Sequence, residues 1–278
     1  MSALYLVATP IGNLEDITLR ALRILKSVDL IACEDTRHTQ KLLNHYEIHV
    51  ATISYHEHNE SERATALIAQ IAAGKRVALV SDAGTPALSD PGYRVVQAAV
   101  AAGVPVVPIP GAAAAINALI ASGLPTDAFY FGGFLPGRAG ERRTALESHR
   151  NRKETMVFYE APHRLLDTLA DVVELCGPDR RLCVARELTK IHEEFLRGSV
   201  AEVLAILRAR GEVRGEITLV LGGAPAAPEP SSSSKTLATR MRELLAAGEE
   251  EKSALKIAAR EFNLGKSQAY REWQRHKR

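Results

Sequence analysis

Lys75-Arg76-Val77-Ala78-Leu79-Val80-Ser81-Asp82-Ala83-Gly84-Thr85-Pro86-Ala87-Leu88-Ser89-Asp90-Pro91-Gly92 is the stretch that decides the fold. Its apolar run, Val77 to Val80, is too short for a helix, contains two β-branched residues and breaks abruptly into small, polar, turn-forming ones. This is a buried strand running into a loop. Asp90 stands where an N-cap belongs, with Pro91 at the first helical position and an apolar helix following to Ala102. Open α/β sheets bind ligands at such strand-end loops, and this one is longer than a tight connection needs. It therefore reads as a small-molecule site. Gly84 admits a ligand to the backbone, Asp82 offers a charged acceptor, and Ser81 and Thr85 offer hydroxyls.

The same strand-then-helix rhythm runs through the chain on either side. Upstream, strands are expected at Leu4–Ala8, Leu30–Cys33 and Ile53–Tyr55, with helices from Thr18 to Ser27, from Glu34-Asp35-Thr36-Arg37 towards His45, and through Ala64, Leu67, Ile68 and Ile71 up to Gly74. Downstream, Val104–Ile109 is a fifth strand leading into the small residues Pro110-Gly111-Ala112-Ala113-Ala114. Alternation of this kind predicts a parallel sheet with helices on both faces. The texture changes at Phe129-Tyr130-Phe131-Gly132-Gly133-Phe134-Leu135, an aromatic strand, followed by a basic helix between Arg138 and Lys153. Further strands at Thr155–Tyr159, Leu182–Arg186, Glu194–Arg197 and Glu216–Leu221, with helices after the first and over Val200–Arg210, predict a mixed sheet.

The Pro, Ala and Ser mixture of residues 224–234 is a linker by composition. Residues 235–278 then read as three short helices with Leu255, Ile257, Ala258, Phe262 and Leu264 as core, and Ala258 to Ser267 has the rhythm of a helix-turn-helix. The expected organisation is an N-terminal α/β domain over 1–124, a second α/β domain over 125–223, the linker, and a small basic helical domain.

Net charge is +2 over 278 residues, and it is unevenly spread. Residues 235–278 hold 11 Lys/Arg against 6 Asp/Glu, so the tail carries +5 and the rest −3. That asymmetry points to a nucleic acid or another polyanion. Three cysteines without a CxxC pair indicate neither a disulfide framework nor a zinc ribbon and fit a reduced cytosol. No apolar run is long enough to span a membrane and no signal peptide is visible, so a cytoplasmic protein is expected. There is no GxGxxG, and Gly265-Lys266-Ser267 lacks the first glycine of a P-loop. His56 and His58 have no further ligands near them in sequence, so no metal is expected.

Leu6-Val7-Ala8-Thr9-Pro10-Ile11-Gly12-Asn13-Leu14, Ala32-Cys33-Glu34-Asp35-Thr36-Arg37-His38-Thr39, His58-Asn59-Glu60, Ser81 to Pro86, Asp90-Pro91-Gly92 and Gly133-Phe134-Leu135-Pro136 together resemble the small-subunit ribosomal RNA methyltransferase I family of the tetrapyrrole-methylase superfamily. Tyr159-Glu160, His163 to Leu166 and Ala185 to Lys190 extend the resemblance to about Leu221. There are two departures from it: Ala112-Ala113 stands where the family often has a bulkier or hydroxylated pair, and Cys33 where alanine is common. The resemblance implies two α/β domains around a cleft, S-adenosyl-L-methionine as cofactor, a homodimer, and methylation of a cytidine ribose 2′-hydroxyl in 16S rRNA, free or in the small ribosomal subunit. It carries cofactor contacts onto Pro10, Asp82, Gly84, Thr85, Ala112, Ala113 and Tyr159.

A ribose hydroxyl must lose its proton during transfer, which calls for a base or an anion-stabilising cation. Glu34 or Asp35 is the expected proton acceptor and Arg37 the cation, because parallel strands bring their carboxyl ends to one sheet edge; the competing reading makes these three a structural ion-pair network. Arg138, Arg142 and Arg143 of the basic helix and Lys266 and Arg271 of the tail are the expected RNA contacts. Two other functions remain open at this point: a methylase of a small tetrapyrrole-like acceptor, which has no use for those cations, and a nucleic-acid-binding regulator, which leaves the cleft-forming sequence idle.

Overall fold

The structure, a computed structural model, describes residues 2–225 and 236–276; most of the linker expected at 224–234 lies outside the described residues. The chain divides into two compact units, Met1–Ala224 and Pro225–Arg278.

The first unit contains two five-stranded sheets. In the first sheet β1 (Ala3–Val7), β2 (Leu30–Cys33), β3 (Thr52–Ser54), β4 (Arg76–Val80) and β5 (Val106–Ile109) lie in the order β3-β2-β4-β1-β5, all parallel. They alternate with α1 (Leu19–Ser27), α2 (Thr36–His45), α3 (Glu60–Ala72) and α4 (Tyr93–Ala101). The chain first steps from β1 outward to β2 and β3, then returns through β4 to β5. Because crossovers are right-handed, reversing direction moves the helices to the other face. Accordingly Ala21, Leu25 and Leu43 of α1 and α2 pack with Val7, Cys33 and Val80, while Ala64, Leu67, Ile71, Val95 and Ala99 of α3 and α4 pack with Leu4, Ala32, Val77 and Leu79.

Local chemistry sets the helix starts. Thr18 caps α1 by accepting from the Ala21 N–H at 3.0 Å, and Asp35 caps α2 by accepting from the Arg37 N–H at 2.8 Å. The cap expected of Asp90 does not form, because α4 begins at Tyr93 after Gly92, whose φ is +148°. Its first N–H groups are taken instead by Glu60, whose Oε1 accepts from Gly92 at 2.9 Å and from Arg94 at 3.2 Å. Glu60 is buried at the start of α3 and caps a helix that is not its own.

After α5 (Ala114–Ala121), the second sheet has the order β6-β7-β10-β8-β9, from β6 (Phe129–Phe134), β7 (Thr155–Glu160), β8 (Arg181–Arg186), β9 (Glu194–Ser199) and β10 (Ile217–Leu221). Only the β6–β7 pair is parallel, so the sheet is mixed. Its residues alternate between faces with period two. Met156, Phe158, Leu182, Val184, Leu219 and Leu221 pack against α6 (Ala139–His149), α7 (Leu165–Cys176) and α8 (Val200–Arg210). Val157, Cys183, Ala185 and Val220 face the other way, onto Ile11 and Ala115, Ala118 and Leu119 of α5.

The second unit is α9 (Leu237–Ala246), α10 (Glu251–Glu261) and α11 (Lys266–His276). Leu255 and Ala258 belong to its core, with Ile257 and Leu264 packed against it, but Phe262 stays outside and Met241 and Trp273 take its place. Phe262 is the residue at which α10 stops, so it leaves the buried stripe where the chain turns.

Candidate active site

Strand β4 is flanked by β1 and β2, whose following helices lie on the opposite face from α4, so the chain parts on both sides of its carboxyl end. Such a switch point leaves a crevice above the sheet. The loops around it are laced together. Thr9 and Gly84 form an isolated bridge, with N–H to O=C distances of 2.9 and 3.1 Å, and the Thr9 hydroxyl donates to the Ser81 carbonyl at 3.2 Å. Thr85 Oγ1 donates to the Ala112 carbonyl at 3.1 Å, tying the β4 loop to that of β5. On the β2 side, Asp82 Oδ1 accepts from the Asp35 N–H at 3.0 Å. Gly84 sits at φ +80°, where a side chain is disfavoured; Ala87 and Ser89 hold φ of +67° and +62° without being glycine. A non-glycine residue in that region is strained and persists only where its surroundings impose it.

The opposite wall of the crevice is one register row of the second sheet. Phe134, Tyr159, Thr218 and Ala185 are paired in succession across β6, β7, β10 and β8, and all four line the cleft. Ile11, Leu88 and Leu188 add apolar surface, and Asp82–Thr85 and Ala113–Ala114 add backbone polar groups. The enclosed space is about 410 Å³, a size suited to a nucleoside-sized ligand. Phe134 stands at its mouth, 58% exposed, its ring centroid 5.4 Å from that of Tyr159.

The charge in the cleft is acidic on both walls. Asp82, Asp90, Glu160 and Glu216 are its lining carboxylates. Burial, and then the charge of Glu34, push the Asp90 carboxyl up to about 6, with Asp82 acting the same way and the Ser81 hydroxyl opposing. Glu34 is likewise raised, by burial first and then by Asp82. Glu160 is buried and fully engaged: it accepts from the Ala161 N–H at 2.7 Å and from Thr168 Oγ1 at 2.6 Å, and pairs with Arg164. Glu216 pairs with Lys190 at 3.2 Å.

Residues 3–204 match the family model of the tetrapyrrole (corrin/porphyrin) methylases. The chain belongs to that family. It is 48% identical over 270 residues to the ribosomal RNA small subunit methyltransferase I of Halalkalibacterium halodurans, covering 96% of this chain and 93% of that protein. The protein of the same name from Bacillus subtilis is 46% identical, over 97% of this chain and 93% of its own length. Among solved structures, diphthine synthase superposes with a TM-score of 0.63 at 15% identity, covering 80% of this chain and 90% of its own. A uroporphyrin-III C-methyltransferase from Thermus thermophilus, complexed with S-adenyl homocysteine, gives 0.55 at 22% identity, covering 79% of this chain and 97% of its own.

Within this methylase, five of the expected cofactor residues, Asp82, Gly84, Thr85, Ala113 and Tyr159, line one cleft. Ala112 borders it through its carbonyl, and Pro10 follows the Thr9 bridge. The donor set suits S-adenosylmethionine: a glycine that bares the backbone, an apolar wall, and carboxylates for a cationic ligand.

Glu34, Asp35 and Arg37 are not brought into the cleft. Asp35 is occupied by the N-terminus of α2 and by Arg37, whose Nη2 lies 3.1 Å away and whose side chain is 89% exposed. Arg37 holds the Asp35 carboxyl at about 2, well below its usual range. The expected RNA contact at Arg142 is corrected by the structure. Its guanidinium is buried, 2.8 Å from Asp171 of α7, because α6 packs that face against α7. Arg143 is shared between Asp171 and Glu174, whereas Arg138, Lys266 and Arg271 are exposed. Sequence reasoning missed Asp90 as a cleft residue, having given it a capping role. The signal available was Glu60, an acidic residue at the head of the preceding helix.

Proposed function

We propose that the protein transfers a methyl group from S-adenosylmethionine to the ribose 2′-hydroxyl of a cytidine in 16S rRNA, acting on the rRNA or on the small ribosomal subunit. The observation that carries this reading is the near full-length identity, 42 to 50%, with proteins named ribosomal RNA small subunit methyltransferase I. The cleft supports it chemically. Pro10, Asp82, Gly84, Thr85, Ala112, Ala113 and Tyr159 hold the cofactor, which supplies an electrophilic methyl on a sulfonium. The cleft walls exclude water and align the acceptor oxygen behind that carbon, the main source of acceleration in such a displacement. Arg138, Lys266 and Arg271 meet RNA phosphates.

The tetrapyrrole-like acceptor rests on shared fold alone. The protein works in the cytoplasm as a homodimer, a reading that rests on the family resemblance; sedimentation at micromolar concentration gives its mass. Among the described residues no helix is long and apolar enough to cross a membrane, and no group of three His, Cys, Asp or Glu is placed to hold a metal ion. Incubation with labelled S-adenosylmethionine and either small-subunit rRNA or a tetrapyrrole tests the function. Label in a nuclease-resistant, 2′-O-methylated dinucleotide is the expected result; label only in the tetrapyrrole refutes it.

A further inference from the structure

We infer that Asp90 is the proton acceptor of the transfer step, taking the ribose 2′-hydroxyl proton directly. The inference rests on the rRNA methylation proposed above and follows from the position and engagement of each acidic group in the cleft. Of the four lining carboxylates, Glu160 is held by Arg164, Thr168 and a backbone N–H, Glu216 faces Lys190, and Asp82 accepts a backbone N–H from the neighbouring loop. A carboxylate engaged by cations or N–H groups is a weak base. Asp90, among the described residues, meets neither a cation nor an N–H; the Ser81 hydroxyl is the polar group beside it.

Its placement is equally specific. The chain reaches Asp90 through Ala87 and Ser89, both left-handed. Ser89 abuts the second sheet, its Oγ 3.1 Å from where a Cβ on Gly133 would lie. Asp90 thus stands where the β4 loop meets the Phe134–Tyr159 end of the opposite wall. Glu34 acts on it from the β2–α2 loop, Asp82 and Ser81 act from the end of β4, and Tyr159 from β7 is coupled to it. Burial and its two acidic neighbours raise its proton affinity towards the working pH, as a general base requires.

The step balances without another reactant. A lone pair of the 2′-oxygen forms the new O–C bond as the methyl carbon's bond to sulfur breaks. The sulfur keeps that bonding pair, and the hydroxyl proton passes to an Asp90 oxygen, from which water later removes it.

The test compares wild type, Asp90→Asn and Asp90→Glu in single turnover with cofactor and rRNA both saturating, alongside calorimetric titration of S-adenosylmethionine. The wild-type rate should rise with pH through about 6 and then level. Asp90→Asn should keep cofactor affinity within about threefold, lose about a hundredfold or more in rate and lose the acid limb of the profile, while Asp90→Glu recovers part of the rate. Cofactor binding also reports that each variant is folded. A wild-type rate in Asp90→Asn overturns the inference and leaves the methyltransferase reading standing. A loss confined to cofactor affinity, with the saturated rate unchanged, overturns it equally and makes Asp90 a cofactor ligand. If the wild type places no methyl on rRNA ribose, the functional reading falls and this inference with it.

Discussion

Holding a carboxylate partly out of water without a cation destabilises the fold whenever that carboxylate is charged, and the half-buried Asp90 is in this position. Its folded form takes up a proton near pH 6, the unfolded chain near the ordinary 3.8. Between those values the native state binds more protons, so this group's contribution to stability improves as pH falls from above 6 to below about 4. Asp90→Asn should therefore melt higher than wild type at pH 8, with the gap closing by about pH 4; a gap independent of pH would refute the assignment. Arg142 works in the opposite sense, because removing one partner strands a buried charge. Arg142→Ala should lose about 3 kcal/mol in urea unfolding, near the low end for a broken buried pair because Arg143 still reaches Asp171. Arg138→Ala should leave stability alone and weaken RNA binding. Residue types were legible in the sequence, but partners were not: Arg142 and Arg143 look equally exposed until Asp171, 29 and 28 positions away, is folded onto them. Gly84, Asp82 and Thr85 could be placed on a loop at the end of β4 because an apolar run breaks there into small, polar, turn-forming residues.

At the level of elements, the β4 loop depends on a helix that another helix caps. Glu60→Ala leaves the N–H groups of Gly92 and Arg94 without their acceptor, and an unsatisfied buried donor costs about 1 to 3 kcal/mol. Since α4 anchors the loop carrying Asp82 to Asp90, the same variant should weaken S-adenosylmethionine binding, whereas Glu60→Gln, which keeps an acceptor oxygen, should lose less of both. Thermal melts and calorimetry check this; unchanged cofactor affinity in a clearly destabilised Glu60→Ala would show that the loop holds its shape without α4. Strand and helix periodicity foretold most elements, down to the bounds of β2 and α8. What failed was the junction at Asp90-Pro91, where a locally adequate cap lost to one arriving from 32 positions upstream. The cleft row Phe134, Tyr159, Thr218 and Ala185 was also illegible, since register is fixed by pairing and a slip of one residue turns the whole row to the other face.

On the scale of the whole molecule, the helical unit has its own buried core, Leu237, Met241, Leu244, Leu255, Ala258 and Trp273, separate from the clusters that build the two sheets. Removing residues 225–278 therefore takes no side chain from the main unit's core, and both its melting temperature and its cofactor affinity should survive. RNA binding should not. The tail carries a positive balance and the remainder of the sequence a negative one, and on α11 both Lys266 and Arg271 are exposed, while Arg240 of α9 is occupied by Glu243 and Glu261. This asymmetry was legible from composition alone; which of the cations are occupied was not, because that depends on acidic residues up to 21 positions away. Each phosphate contact contributes about 0.7 to 0.9 to the slope of log affinity against log salt. Truncation should thus lower rRNA affinity and flatten that slope by at least one such contact, measured between about 50 and 200 mM salt. A truncated protein with the full-length slope would mean that the tail's charges only solvate its surface, and that the phosphate contacts reside in the main unit.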